Sequence, residues 1–196
     1  MRKIKTTAIF AALLVTSTAF ASTLPMQVVS AAPSAGELAS VGRWVSGSGL
    51  GGAEITAYDA KSFRMFVTNG ATNQIDIVDI KNPKKPVLFG RINLAKSGVV
   101  GIQSVAVKDG IVAIAAVMST NKAEAGRVFL ADVNGKLVPS ALTGIAVGSL
   151  PDSIHFSPNG QYVITANEGE PTSYCLTNGT LPTTTDPNGS ISIIDI

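Results

Sequence analysis

The sequence predicts an all-β fold assembled from repeated four-stranded antiparallel sheets, and three observations carry that prediction. The 196 residues include 19 glycines and 10 prolines with only 6% aromatics, a mixture that suits many short strands joined by tight turns better than a helical bundle. Short runs rich in β-branched residues recur in the same order along the chain. Equivalent positions in those runs, Ile55, Val105 and Ile154, are separated by 50 and 49 residues, a period long enough for a four-stranded sheet. At 45% hydrophobic and 14% charged, the chain is neither a disordered tail nor a basic nucleic-acid binder.

Taken in order, the chain opens on a cationic start with Arg2, Lys3 and Lys5, followed by an apolar run over residues 8–15. A stable transmembrane helix needs ~20 apolar residues, so the run reads as the core of a signal peptide and no transmembrane span is expected. Ala19-Phe20-Ala21 supplies the small residues a signal peptidase accepts, which puts cleavage before Ser22. Residues 1–21 are thus a signal peptide and 22–36 a flexible leader. Without Arg2, Lys3 and Lys5 the formal charge of +2 becomes 12 basic against 13 acidic residues, and whole-chain charge implies no electrostatic partner. Export exposes thiols to oxidation, yet the single Cys175 has no internal disulfide partner; it is free, pairs between chains, or pairs with a cysteine outside this sequence.

The first repeat, 53–94, contains runs at 53–59, 63–69, 74–80 and 87–92. The second, 103–147, contains runs at 104–107, 111–115, 127–133 and 142–147. The third, 152–196, contains runs at 153–156, 162–167 and 190–196 and has no fourth. Lys108-Asp109-Gly110 and Ser157-Pro158-Asn159-Gly160 have turn chemistry between first and second strands, as do Asn82-Pro83 and Asn134-Gly135 between third and fourth. Four-stranded units at this spacing read as β-propeller blades; a sandwich would not need the same strand order three times. Residues 41–45 can be laid over 89–93, so 37–46 is expected to be the closing strand of a missing last blade. The expectation is a partial β-propeller over 37–196, with about three blades in an incomplete ring.

Phe66-Val67-Thr68-Asn69-Gly70 followed by Ile75-Asp76-Ile77-Val78-Asp79 resembles YVTN-type propeller repeats. So does Val147-Gly148 through Pro151 to Ser157-Pro158-Asn159-Gly160-Gln161-Tyr162-Val163. Ala53-Glu54-Ile55, Asn69-Gly70-Ala71-Thr72-Asn73 and Ala166-Asn167-Glu168-Gly169-Glu170-Pro171 together resemble the choice-of-anchor I family of exported bacterial propellers, over about 37–196. The resemblance implies a periplasmic, secreted or cell-surface propeller. Family members are sometimes labelled alkaline phosphatase-like, and no motif here establishes that chemistry. The threonine-rich stretch between Pro171 and Gly189, which carries Cys175, departs from the pattern.

Antiparallel strands bring the start of each first strand and the end of each second strand to one rim of the blade. Glu54, Gln103 and Asp152 begin first strands, and Asn69, Asn167 and Glu168 end second strands. Glu54, Asn69, Gln103, Asp152 and Asn167 are therefore the candidate ligand-binding residues. Glu168 and Glu170 flank Gly169, whose freedom lets both carboxylates turn toward one point; such oxygen-rich groups suit a hard cation such as calcium. The competing expectation is that the asparagines satisfy turn backbone and the acids are solvated. Residues 168–189 form a long loop over the same rim, suited to covering a ligand or facing a partner.

No catalytic set is identified. Residues 47–52 fit the G-x-G-x-x-G spacing but join two strands instead of opening a helix, which argues against a dinucleotide site. The only histidine, His155, has no G-x-S-x-G turn to complete and is expected to pack between blades. The leading functional expectation is an exported binding or interaction module whose rim loops contact an extracellular ligand or surface partner. Two alternatives stand beside it: a calcium-dependent phosphoesterase using Glu54, Asp152, Glu168 and Glu170 as cation ligands, and a structural cell-surface spacer.

Overall fold

A computed structural model describes residues 38–173 and 186–196. The expected signal peptide, the leader and Cys175 lie outside the described residues. Contacts divide the chain into Met1–Ala39 and Ser40–Ile196, and all the strands belong to the second unit.

The first blade consists of β1 (Thr56–Asp59), β2 (Arg64–Asn69), β3 (Gln74–Asp79) and β4 (Val87–Asn93). The second consists of β5 (Gly101–Lys108), β6 (Ile111–Val117), β7 (Ala125–Asp132) and β8 (Ile145–Ser149). Each is an antiparallel sheet in sequence order, and β9 (Pro151–Phe156), β10 (Tyr162–Asn167) and β11 (Ser190–Asp195) repeat that order in a three-stranded third. This is the all-β, propeller-type architecture that the 50- and 49-residue separations predict. The turns follow their residues: Asp109 and Gly110 both take positive φ, at 50° and 87°, directly between the paired Lys108 and Ile111. Two successive left-handed residues match the twist of a tight hairpin.

Packing explains why β6 is apolar at every position. Side chains alternate between faces along a strand. In β6, Val112, Ile114 and Ala116 join Phe66, Ile75, Ile77 and Ile92 of the first blade in one core. The intervening Ala113 and Ala115 join Ile154, Val163 and Ile194 of the third blade in another. Both faces of β6 are thus covered by neighbouring blades, and a period-2 polar pattern would place polar groups in an interface.

Strand limits differ from expectation by one to three residues at several ends, most informatively at the starts of β8 and β1. β8 begins at Ile145 instead of 142, because Pro139–Ala141 forms a 3-10 turn and Gly144 is left-handed at φ 70°. A Cβ on Gly144 would lie 2.9 Å from Phe129 Cζ, so glycine is required both for conformation and for space. β1 begins at Thr56, although bonds from Glu54 N to Thr68 O and from Thr68 N to Ile55 O continue the pairing.

Residues 38–46 are not paired into a sheet. They pass so close to the β3–β4 turn that a Cβ on Gly42 would overlap the Pro83 carbonyl. His155 is exposed, not packed between blades. Its neighbour Ile154 occupies the core side of the strand, which leaves His155 on the opposite face.

Replacing Phe66, fully buried between the first two blades, by alanine is expected to cost roughly 3–5 kcal/mol in urea unfolding. Val87→Ala, at an exposed position, should change stability by less than about 0.5 kcal/mol.

The Asp132 turn gives an acid-dependent counterpart. Slight desolvation raises its pKa, but Asn134 and Lys136 N–H groups donate to Oδ1 at 2.8 and 2.9 Å and hold it below the usual carboxylate value. A lowered folded pKa gives stability that is complete above the unfolded value and lost as pH falls through the folded one. Asp132→Asn should therefore flatten part of the acid limb in a pH series of thermal unfolding.

Candidate functional site

At the end of β2, Asn69 is buried. Its Nδ2 donates to Asp76 Oδ2 at 2.8 Å and to Ser48 Oγ at 2.9 Å. Asp76 is also buried and faces Arg91 across the β3–β4 pair, where Arg91 Nε donates to Oδ1 at 2.6 Å. A buried carboxylate is tolerable only when paired and hydrogen-bonded; here a cation and an amide each take one oxygen. Asn69 Oδ1 has no partner among the described residues. The third blade solves the same position without charge. Asn167 Nδ2 donates to Ser190 and Ser192 Oγ, and its Oδ1 accepts from Thr165 Oγ1 at 3.0 Å.

The two asparagines thus share a role: each ties the end of a second strand to the third. Both expected uses, ligand contact and capping of turn backbone, differ from this observed bonding. Gly148 of β8 passes directly over Asn167, where a Cβ would lie 2.7 Å from Nδ2.

Gln103 and Asp152 share a different feature. The β5–β6 register steps from Ile102 to Ser104, and the β9–β10 register steps from Pro151 to Ser153. Each residue is therefore the unpaired member of a β-bulge, a device that re-aims a side chain at a strand end. Glu54, ahead of β1, is exposed, with its carboxylate over a bare stretch of backbone: a Cβ on Gly70 would sit 3.1 Å from Oε1.

Glu168 is exposed at the end of β10, and its N–H donates to Leu150 O at 2.8 Å. Glu170 is bonded to Lys122 of the β6–β7 loop, so its carboxylate already has a cationic partner. Among the described residues no group of three or more His, Cys, Asp or Glu side chains is placed to hold a metal ion.

The first strands of all three blades line one cleft of about 700 Å³. Lys108, Asp152, Ser153 and His155 bring donors and acceptors of both signs to its wall, and Ile55 and Val105 contribute apolar surface. Ser153 Oγ and His155 Nε2 lie 3.1 Å apart. Sequence reasoning found Asp152 but missed Ser153 and His155 as lining residues. Their i, i+2 spacing was the available signal, since it puts both on one face of β9.

A family model described as the choice-of-anchor I domain matches residues 54–196. No curated protein matches the chain significantly. Among solved structures, hydrazine synthase of Kuenenia stuttgartiensis is similar at 16% identity and a TM-score of 0.45, over 73% of this chain and 34% of that one. A luciferin-regenerating enzyme is similar at 13% identity and a TM-score of 0.46, over 71% and 43% respectively. The WD40 β-propeller domain of Doa1 is similar at 16% identity and a TM-score of 0.40, over 61% and 36%. This chain therefore spans less than half the length of each.

The buried pair generates a stability prediction. Arg91→Ala leaves Asp76 with Asn69 as its charged-state partner and is expected to cost about 2–3 kcal/mol in chemical denaturation, a value reduced because Arg91 is 44% exposed. Adding Asp76→Val to that variant removes the stranded charge and should recover most of the loss. A double variant weaker than Arg91→Ala alone would contradict this account of the pair.

Proposed function

Because the chain belongs to the choice-of-anchor I family, we propose that it is an exported binding module whose inter-blade cleft and adjoining rim loops hold an extracellular ligand or surface partner. The observation that carries this reading is the cleft itself, to which every blade contributes the same strand. Its mixture of hydroxyl, imidazole, carboxylate, ammonium and aliphatic surface suits a polar ligand with apolar faces, such as a glycan. The bulges at Gln103 and Asp152 support a recognition role for the strand starts, and exposed Glu54 and Glu168 extend the acceptor surface. Calcium binding through Glu170 draws no support from its bond to Lys122.

Export rests on the proposed signal peptide over residues 1–21 and on family membership. No helix among the described residues is long and apolar enough to cross a membrane. The proposed closing-strand role of 37–46 gains support from the adjoining residues: Ser48 meets Asn69 of the first blade much as the end of β8 meets Asn167 and Ser192 of the third.

Glycan arrays and isolated bacterial cell envelopes are suitable probes. Asp152→Lys combined with His155→Trp, which fills and recharges the cleft, should weaken retained binding at least about tenfold without lowering the melting temperature. Lys81→Glu, away from the cleft lining, should leave binding unchanged. Equal binding by all three proteins would refute the cleft as the site.

A further inference from the structure

We propose that a second cavity, between the segment leaving β4 and the outer strands of the second blade, binds the oxyanion of a phosphate or sulfate group. The cavity has a volume of about 370 Å³ and is lined by Lys96, Ser97, Met118, Arg127, Leu142 and Thr143. It is separate from the cleft assigned above, with no lining residue in common.

Both charged residues of the lining are cations, and among the described residues neither has a carboxylate within 4.0 Å. Lys61, Lys81, Arg91, Lys108 and Lys122 each have one; among the described residues other cations such as Arg64, Lys84 and Lys136 have none, and what sets Lys96 and Arg127 apart is that they line one cavity. Two uncompensated cations on one concave surface are stabilised by an anion between them.

The guanidinium is also held in place. Arg127 Nη1 donates to Thr143 O and Gly144 O, both at 3.0 Å. Gly144 makes this approach possible, since a Cβ there would lie 3.0 Å from Arg127 Cβ and the backbone is left-handed. These bonds use the hydrogens of one terminal nitrogen. Arginine has five N–H donors in a fixed fork, so the Nε and Nη2 hydrogens are without a protein acceptor among the described residues. A planar fork already held by backbone loses little freedom when it binds a multi-oxygen anion. Lys96 supplies a second positive charge, and the Ser97 and Thr143 hydroxyls border the same space. Among the described residues the one bond of Ser97 Oγ, to Leu142 O at 3.5 Å, is long and readily exchanged for an anion oxygen.

The test titrates the full chain with inorganic phosphate and inorganic sulfate, with sodium chloride holding ionic strength constant so that general screening cancels. A saturable rise in melting temperature beyond that in chloride is expected. Lys96→Gln should weaken the apparent affinity about tenfold, the scale of one charge-assisted hydrogen bond, while Lys84→Gln should not. Lys96 is exposed, so its replacement does not threaten folding. A sulfated oligosaccharide run in parallel identifies the source of the oxyanion. Tighter binding than inorganic sulfate, lost in Lys96→Gln, means an ester on a polymer, and equal binding means a free ion; both support the site. No response beyond chloride, or identical responses from Lys96→Gln and Lys84→Gln, would overturn it. Neither result bears on glycan or envelope binding at the first-strand cleft.

Discussion

Burial of a sheet on both faces is the constraint from which the rest of the molecule follows. The second blade sits between two others, so β6 must be apolar at successive positions, and its two faces must differ in bulk. Toward the first blade it presents valine and isoleucine, with Ala116 at the end. Toward the third it presents Ala113 and Ala115, small enough for Ile154 and Val163 to come close. A strand built this way has no solvent face on which to display function. Exposed polar side chains are therefore displaced to strand ends, turns and the inner strands bordering the cleft.

The same constraint explains the polar groups that do lie within the sheets. Asp76 lies between Ile75 and Ile77 in β3, is fully buried, and is matched in register by Arg91. The third blade places Ser192 opposite Thr165, the position in register that Asp76 has opposite Val67, and joins its strands through neutral hydroxyls. One scaffold position is thus satisfied by two different chemistries. In each case an asparagine at the end of the second strand supplies the common bond.

Much of the architecture was legible because it rests on local rules. The repeat separation, the β-branched runs and the Asp109-Gly110 turn each act over a few residues. What escaped was decided by tertiary proximity. The start of β8 depends on how closely Gly144 approaches Phe129, and the partner of Glu170 comes from a loop in another blade. His155 was expected in an interface because it sits inside a strand pattern, but alternation sends Ile154 there and His155 to the other face. Residue type and strand position identify Asp152 as a residue at the start of a first strand. They gave no sign that it and Gln103 are bulged, since a bulge is a property of two paired strands.

Those bulges have a consequence for how such a scaffold diversifies. A residue that belongs to no cross-strand pair can be exchanged without sliding its strand by one place and turning the interior outward. Gln103 and Asp152 already differ in charge and length while occupying the same point of successive blades. The fold thereby separates the residues that keep it assembled from a small set in which identity is free to vary, with one such position near the mouth of each of these two blades.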